Sequence, residues 1–241
     1  SSNVAAVVVE EMGYDVNLIS VSAAAMWEGL ASGDGDAITS AWLPATHKAY
    51  LEGTADRVEE AGVVMTGARI GLMVPTYVDI ETVADLEANA DKFGGRIVGI
   101  DPGAGLMAAT EKAIDVYGLE SMTLLEGSDA TMVAALEDAY RNEEWIVVTG
   151  WTPHVMEARF DLKYLKDPEL IFGEEEYVGS IVRKGLKEDM PEVYEFFTKF
   201  NWEVADFAPL MLWNDESGSD PYENAKRWVS ENRDLVDTWI Q

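Results

Sequence analysis

Three short stretches of this chain carry groups suited to holding a small ligand. They are Ser40-Ala-Trp42-Leu-Pro44-Ala-Thr-His47, Asp101-Pro-Gly103-Ala-Gly105-Leu106, and Thr149-Gly-Trp151-Thr-Pro153-His154. Indole faces such as Trp42 and Trp151 attract a cation that cannot donate hydrogen bonds, a quaternary ammonium for instance. The ring quadrupole and a dry apolar wall make each face worth on the order of 1–2 kcal/mol once water is excluded. Gly103 and Gly105 permit a sharp turn into a helix whose first N–H groups lack intrahelical partners, and such a place takes an anion. The Gly105 and Leu106 amides together with a donor such as His47 would suit a carboxylate. Aromatic faces for a cation and amides for an anion describe a site for a small zwitterion.

Each of these residues also has a plainer reading. A tryptophan on a loop is more often a buried edge of core than a ligand wall, and His47 reads equally as a histidine capping a loop through backbone contacts. The sequences Trp42-Leu-Pro-Ala-Thr-His47 and Trp151-Thr-Pro-His154 echo one another and hold both histidines of the chain. Two lobes of related build would produce that echo, and so would chance, because proline commonly follows a strand end. An enzymatic alternative would use His47 or His154 as base and Asp101 as acid, but no nucleophile–base spacing accompanies them. No Gly-x-Ser-x-Gly elbow, Gly-x-Gly-x-x-Gly turn, P-loop or His-Glu-x-x-His motif occurs. Asp34-Gly-Asp36 lacks the distant glutamate of a calcium loop and reads as a turn, and Glu174–Glu176 reads as a solvated loop. Trp145, Trp202, Trp213, Trp228 and Trp239 lie in strand or amphipathic-helix patterns and read as core.

The elements that must position these groups alternate between strand and helix. Helical patterns cover residues 3–13, 23–30, 78–90, 106–118, 128–141, 191–200, 205–212 and 221–239, with a polar helix-like segment ahead of residue 60. Strand patterns cover 15–20, 36–42, 68–75, 97–100, 122–125, 145–149 and part of 174–182. The nearly continuous apolar run at 145–149 is the mark of a strand buried on both faces, as in a parallel sheet. Such alternation predicts an α/β fold with mostly parallel sheets flanked by helices. In open α/β sheets ligands sit beyond the carboxyl ends of the strands, where Trp42, Trp151 and Gly105 all fall.

Composition narrows the function classes. Forty-eight per cent of 241 residues are hydrophobic, ample for a packed core, and cysteine is absent, which excludes disulfides, thiolate metal sites and thiol catalysis. Forty-five acidic against 17 basic residues give a net charge of −28, so nucleic acid is an improbable partner. The scattered acids fit a salt-adapted surface or an ordinary acidic exported protein. No apolar run approaches the length of a membrane span, and the opening Ser1-Ser2-Asn3 is neither a signal nor a transit peptide.

Taken in order, Met26-Trp27, Gly33-Asp-Gly-Asp-Ala37, Ala41-Trp-Leu-Pro-Ala-Thr-His47-Lys-Ala-Tyr50, Gly71-Leu-Met-Val-Pro75, Asp101-Pro-Gly-Ala-Gly105, Val148-Thr-Gly-Trp-Thr-Pro-His154, Leu162-Lys-Tyr-Leu165 and Arg183-Lys-Gly185 resemble the glycine betaine-binding proteins of osmoprotectant ABC transporters. The resemblance implies a two-lobed type II periplasmic-binding-protein fold with a ligand cleft between the lobes. One lobe would comprise about residues 1–77 with 177–241 and the other about 78–176. It implies capture of glycine betaine, proline betaine or dimethylsulfoniopropionate and delivery to a permease, with no catalysis, cofactor or metal; the alternatives are an enzyme acting on a choline-like substrate and an extracytoplasmic sensor domain on the same fold. The expected place is the periplasm or the outer face of the cell membrane, reached only through the permease or a lipid anchor outside this chain. In that family an aromatic cage of three tryptophans holds the onium group, while a histidine and two backbone amides hold the carboxylate. Carried over, Trp42 and His47 belong to one lobe, and Trp151 with the Gly105 and Leu106 amides to the other. The third cage tryptophan sits in relatives on a strand just ahead of the opening helix, and that strand is expected to be missing from this sequence.

Overall fold

A computed structural model describes all 241 residues, Ser1–Gln241. By their internal contacts the residues form two units, Ser1–Ala68 with Glu176–Gln241, and Arg69–Glu175. The first unit opens with α1 (Ser2–Glu11), whose run Val4–Val9 is wholly buried. Helix α2 (Ala23–Ser32) starts on Ser22, which accepts from the Ala25 N–H, and stops at Gly33 in the left-handed region at φ 84°. Strand β1 (Ala37–Leu43) follows, then α3 (Lys48–Thr54) and the long strand β2 (Val58–Pro75). Through residues 58–68 β2 pairs with the returning strand of this unit, and through 69–75 it serves the second unit.

The second unit contains α4 (Asp85–Ala88), β3 (Arg96–Val98), α5 (Gly105–Tyr117), β4 (Thr123–Leu125), α6 (Asp129–Arg141), β5 (Val148–Thr152), α7 (Met156–Arg159) and β6 (Leu162–Tyr164). Strand β3 runs parallel to β4 and β5, while β2 is antiparallel to both β5 and β6. Its core gathers Met73, Met132, Leu136, Ile146, Val148 and Met156. Ser128 caps α6 by accepting from the Thr131 N–H at 3.2 Å, and Thr131 Oγ1 accepts from the Ser128 N–H in return.

The chain re-enters the first unit in β7 (Glu176–Arg183) and ends in α8 (Leu186–Asp189), α9 (Pro191–Lys199), α10 (Val204–Asp215), α11 (Pro221–Glu231) and α12 (Arg233–Ile240). Strand β7 lies between β1 and β2, antiparallel to each. An aromatic core fills this unit: the Trp228 and Trp239 rings stack 6.1 Å apart, with Phe196, Phe200 and Trp202 around them. Trp228 Nε1 donates to the Asp206 carbonyl at 2.8 Å, which settles the one polar atom of that ring.

The α/β class holds, but the sheets are mixed rather than mostly parallel. Strand β2 leaves the first unit and β7 brings the chain back beside it, so the pair must run in opposite directions. Among the strands only β3 supplies parallel pairing, beside one isolated parallel bridge between Thr82 and Lys166. Other expectations shift as well. Residues 15–20 join no ladder, and Leu18, Ile19 and Val21 stand 45, 61 and 51% exposed. The pattern at 78–90 yields only the short α4 and a 3-10 turn at Ala90–Phe93, because the Asp85 carboxylate accepts from the Glu81 and Thr82 N–H groups and starts the helix late. The apolar run at 145–149 becomes strand only from Val148 onward.

Candidate ligand-binding site

In the first unit the structure brings Trp42 and His47 together on one loop. Trp42 is the penultimate residue of β1, opposite Val178 of β7, and its side chain is half-buried. The Leu43–Pro44 peptide that follows is cis. Two reciprocal bonds close the loop: the His47 N–H donates to the Trp42 carbonyl at 2.8 Å, and the Trp42 N–H donates to His47 Nδ1 at 3.0 Å. A backbone N–H can only donate, so Nδ1 is the bare nitrogen and the neutral ring carries its proton on Nε2. His47 is 6% exposed, and burial lowers its pKa to about 4. At neutral pH it is an uncharged N–H donor. Trp27 meets its ring edge-on at 5.8 Å and Tyr50 does so at 5.8 Å, fixing the imidazole plane.

The loop between Trp42 and His47 is held from beneath. Glu176, the first residue of β7 and only 3% exposed, accepts from the Ala45 and Thr46 N–H groups at 2.7 Å each and from the Thr46 hydroxyl.

In the second unit, Gly105 and Leu106 form the first turn of α5, which packs against β5. The residue ahead of them, Ala104, is extended and caps no amide with its side chain. The Asp101 carboxylate accepts from the Gly103 N–H at 3.0 Å, and its carbonyl accepts from Ala104 at 3.0 Å, so the turn is closed by its own residues. That carboxylate, the acid of the enzymatic alternative, is thereby engaged in shaping the loop. Gly99 lets the helix approach: a β-carbon there would lie 2.5 Å from Met107 Sδ. The turn therefore presents the first amides of a helix that continues for 13 residues.

Trp151 lies on β5 in the same unit, half-buried, one residue before a second cis peptide, Thr152–Pro153. His154 packs edge-on against its indole at 4.3 Å. Here too a backbone amide fixes the tautomer: the Met156 N–H donates to His154 Nδ1 at 3.2 Å, leaving Nε2 to face Asp129 at 3.2 Å. The echo seen in the sequence thus extends to structure. Each copy has a strand-end tryptophan, a cis-proline two residues on, and a histidine whose Nδ1 is occupied by a backbone N–H.

Several functional neighbours escaped sequence reasoning. Glu176 was hidden in an acidic run whose other members, Glu174 and Glu175, are indeed exposed; the strand pattern beginning at 176 was the available signal. Trp27 and Tyr50 come to His47 from α2 and α3, and nothing in their local sequence announces that meeting. Of the tryptophans read as core, Trp202, Trp228 and Trp239 are buried, while Trp145 and Trp213 are half-buried under Lys92 and Arg227, whose cationic groups lie 4.1 and 3.9 Å from their rings.

Two α/β units of this build place the chain in the periplasmic-binding-protein fold class. Two solved structures are similar over the whole chain. The glycine betaine/L-proline-binding protein ProX of Borrelia burgdorferi has a TM-score of 0.97 at 38% identity, covering 100% of this chain and 91% of that one. Lactococcal OpuAC, in a closed form complexed with glycine betaine, has a TM-score of 0.93 at 39% identity, covering 100% and 93%. Residues 1–231 match the substrate-binding domain of ABC-type glycine betaine transport systems, and the chain belongs to that family. The glycine betaine/carnitine transport binding protein GbuC of Listeria monocytogenes is 43% identical over 163 residues, 66% of this chain. That match spans 54% of GbuC, little more than half of its length.

Proposed function

We propose that this protein is the extracytoplasmic binding component of an ABC importer and captures glycine betaine or a close onium analogue such as proline betaine or dimethylsulfoniopropionate for a membrane permease. Trp42 and Trp151 supply aromatic walls for the onium group. His47 Nε2–H and the amides of Gly105 and Leu106 supply donors for the carboxylate. The observation that carries this reading is the Trp42–His47 loop, which sets a half-exposed indole and a neutral N–H donor in fixed relation. Membership of the glycine betaine-binding family and likeness to a betaine-bound structure support it.

Isothermal titration with glycine betaine, choline and glycine, repeated on Trp42→Ala, tests the reading. Glycine betaine is expected to bind, and loss of one wall is expected to weaken it roughly tenfold or more. Glycine binding as tightly as glycine betaine, or an unchanged affinity in the variant, would overturn it.

A further inference from the structure

The loop that joins Trp42 to His47 is exposed at Pro44 and Ala45 and half-buried at Thr46, and no backbone carbonyl takes the Ala45 or Thr46 amide. The fold instead spends a carboxylate on it, buried at 3% exposure and accepting from Ala45 N–H, Thr46 N–H and the Thr46 hydroxyl. Burying a carboxylate is costly, and the three donors that offset it here all come from this one short loop. What the clamp does accomplish is geometric. With Trp42 and His47 already tied by two reciprocal bonds, one backbone to backbone and one from the Trp42 N–H to His47 Nδ1, fixing residues 45 and 46 restrains the segment between them. The separation of aromatic wall and N–H donor becomes a property of the fold.

We infer that Glu176 is a positioning residue for the proposed recognition: by locking residues 45–46 it fixes His47 relative to Trp42, and so selects onium ligands whose carboxylate lies one or two carbons from the onium centre over ligands without a carboxylate or with a longer spacer. The inference rests on the binding reading given above. Glu176 touches no ligand in this scheme. Its effect passes entirely through the loop, so it falls on carboxylate recognition and spares onium recognition, which Trp42 provides from the end of a paired strand.

The test compares Glu176→Leu, which removes both acceptor oxygens, and Thr46→Val with the unaltered protein. Thr46→Val removes only the hydroxyl contact and keeps the buried carboxylate, so it remains informative if Glu176→Leu folds poorly. Affinities for glycine betaine, choline and 4-(trimethylammonio)butanoate are measured by titration, alongside the hydrogen-exchange protection of the Ala45 and Thr46 amides without ligand. In Glu176→Leu, glycine betaine is expected to weaken roughly tenfold while choline changes by less than about threefold, and the preference over the longer homologue narrows. Thr46→Val should show the same pattern, more weakly. Amide protection at 45 and 46 is expected to fall in Glu176→Leu. Equal loss for all three ligands, or no loss for any, would overturn the inference, and so would unchanged protection of the two amides. The exchange measurement stands without any ligand, so a failure of the binding reading is seen separately, as an unaltered protein that takes up no glycine betaine.

Discussion

Acid should unfold this protein in part through one side chain, His47. In the folded state burial holds its pKa near 4, against an ordinary value of 6.5, and protonation of Nδ1 would break the bond from the Trp42 N–H. The unfolded chain therefore takes up a proton at higher pH than the folded one. Stability from this source is complete above about pH 6.5 and drains away as the pH falls toward 4, because protons are bound by the unfolded state first. Integrating between those two values gives a loss of about 2 kcal/mol near pH 5 and about 3 kcal/mol near pH 4. The assay is urea unfolding at a series of pH values on the protein and on His47→Asn, whose amide oxygen can keep the bond from Trp42 without titrating. Other groups titrate equally in both, so the difference between the two curves isolates the histidine. It is expected to shift by about 3 kcal/mol in favour of the variant between neutral pH and pH 4. A difference that stays flat across that interval would refute both the burial argument and the neutral-donor role built on it.

Three further outcomes follow from particular contacts. Gly105→Pro removes one amide donor at a helix position where proline is at home, behind an Ala104 already extended at φ −76° and ψ 139°. Its melting temperature should hold while glycine betaine affinity drops by roughly fivefold or more, with choline little affected; an undiminished affinity would remove that amide from the site. Gly62→Ala puts a β-carbon 2.7 Å from the Phe197 carbonyl and 2.9 Å from that of Thr198, both backbone, so strand and helix must part at a cost of about 1–3 kcal/mol in thermal or urea unfolding. A silent substitution there would mean that α9 is far less fixed than its packing indicates. With a net charge of −28, the melting temperature should rise as sodium chloride is raised from low to molar concentration, and a flat profile would show that self-repulsion contributes little.

The parts of this molecule legible in the sequence are those governed by local rules. Turn and cap chemistry marked the end of α2 at Gly33, the start of α6 at Ser128 and the glycine turn before α5, and the tryptophans before proline fell at strand ends as their pattern indicated. What escaped depends on distant partners. Residues 58–67 carry two adjacent glutamates and are interrupted by Gly62 and Gly67, and pairing with β7 makes them strand. Residues 15–20 have the alternation of a strand and no strand beside them. The helical pattern over 221–239 is two helices, because Asn232 turns back to bond the Trp228 carbonyl through its side chain. At the site, the indoles and His47 could be named from residue type and spacing. The tautomer, the aromatic neighbours of the imidazole and the carboxylate under the loop could not, since each arises from contact between elements far apart in the chain.

The neutrality of His47 has a consequence for the conditions under which capture is useful. In the proposed recognition, indole faces, an uncharged imidazole and two backbone amides would act together with no formal charge on the protein side. Ionic screening weakens attraction between full charges, and it has little purchase on quadrupoles and short hydrogen bonds in a desolvated pocket. Affinity for a betaine should therefore hold steady through an osmotic upshift, when external salt climbs and demand for a compatible solute is greatest. A lysine or arginine in place of His47 would tie uptake to the variable the cell is trying to withstand.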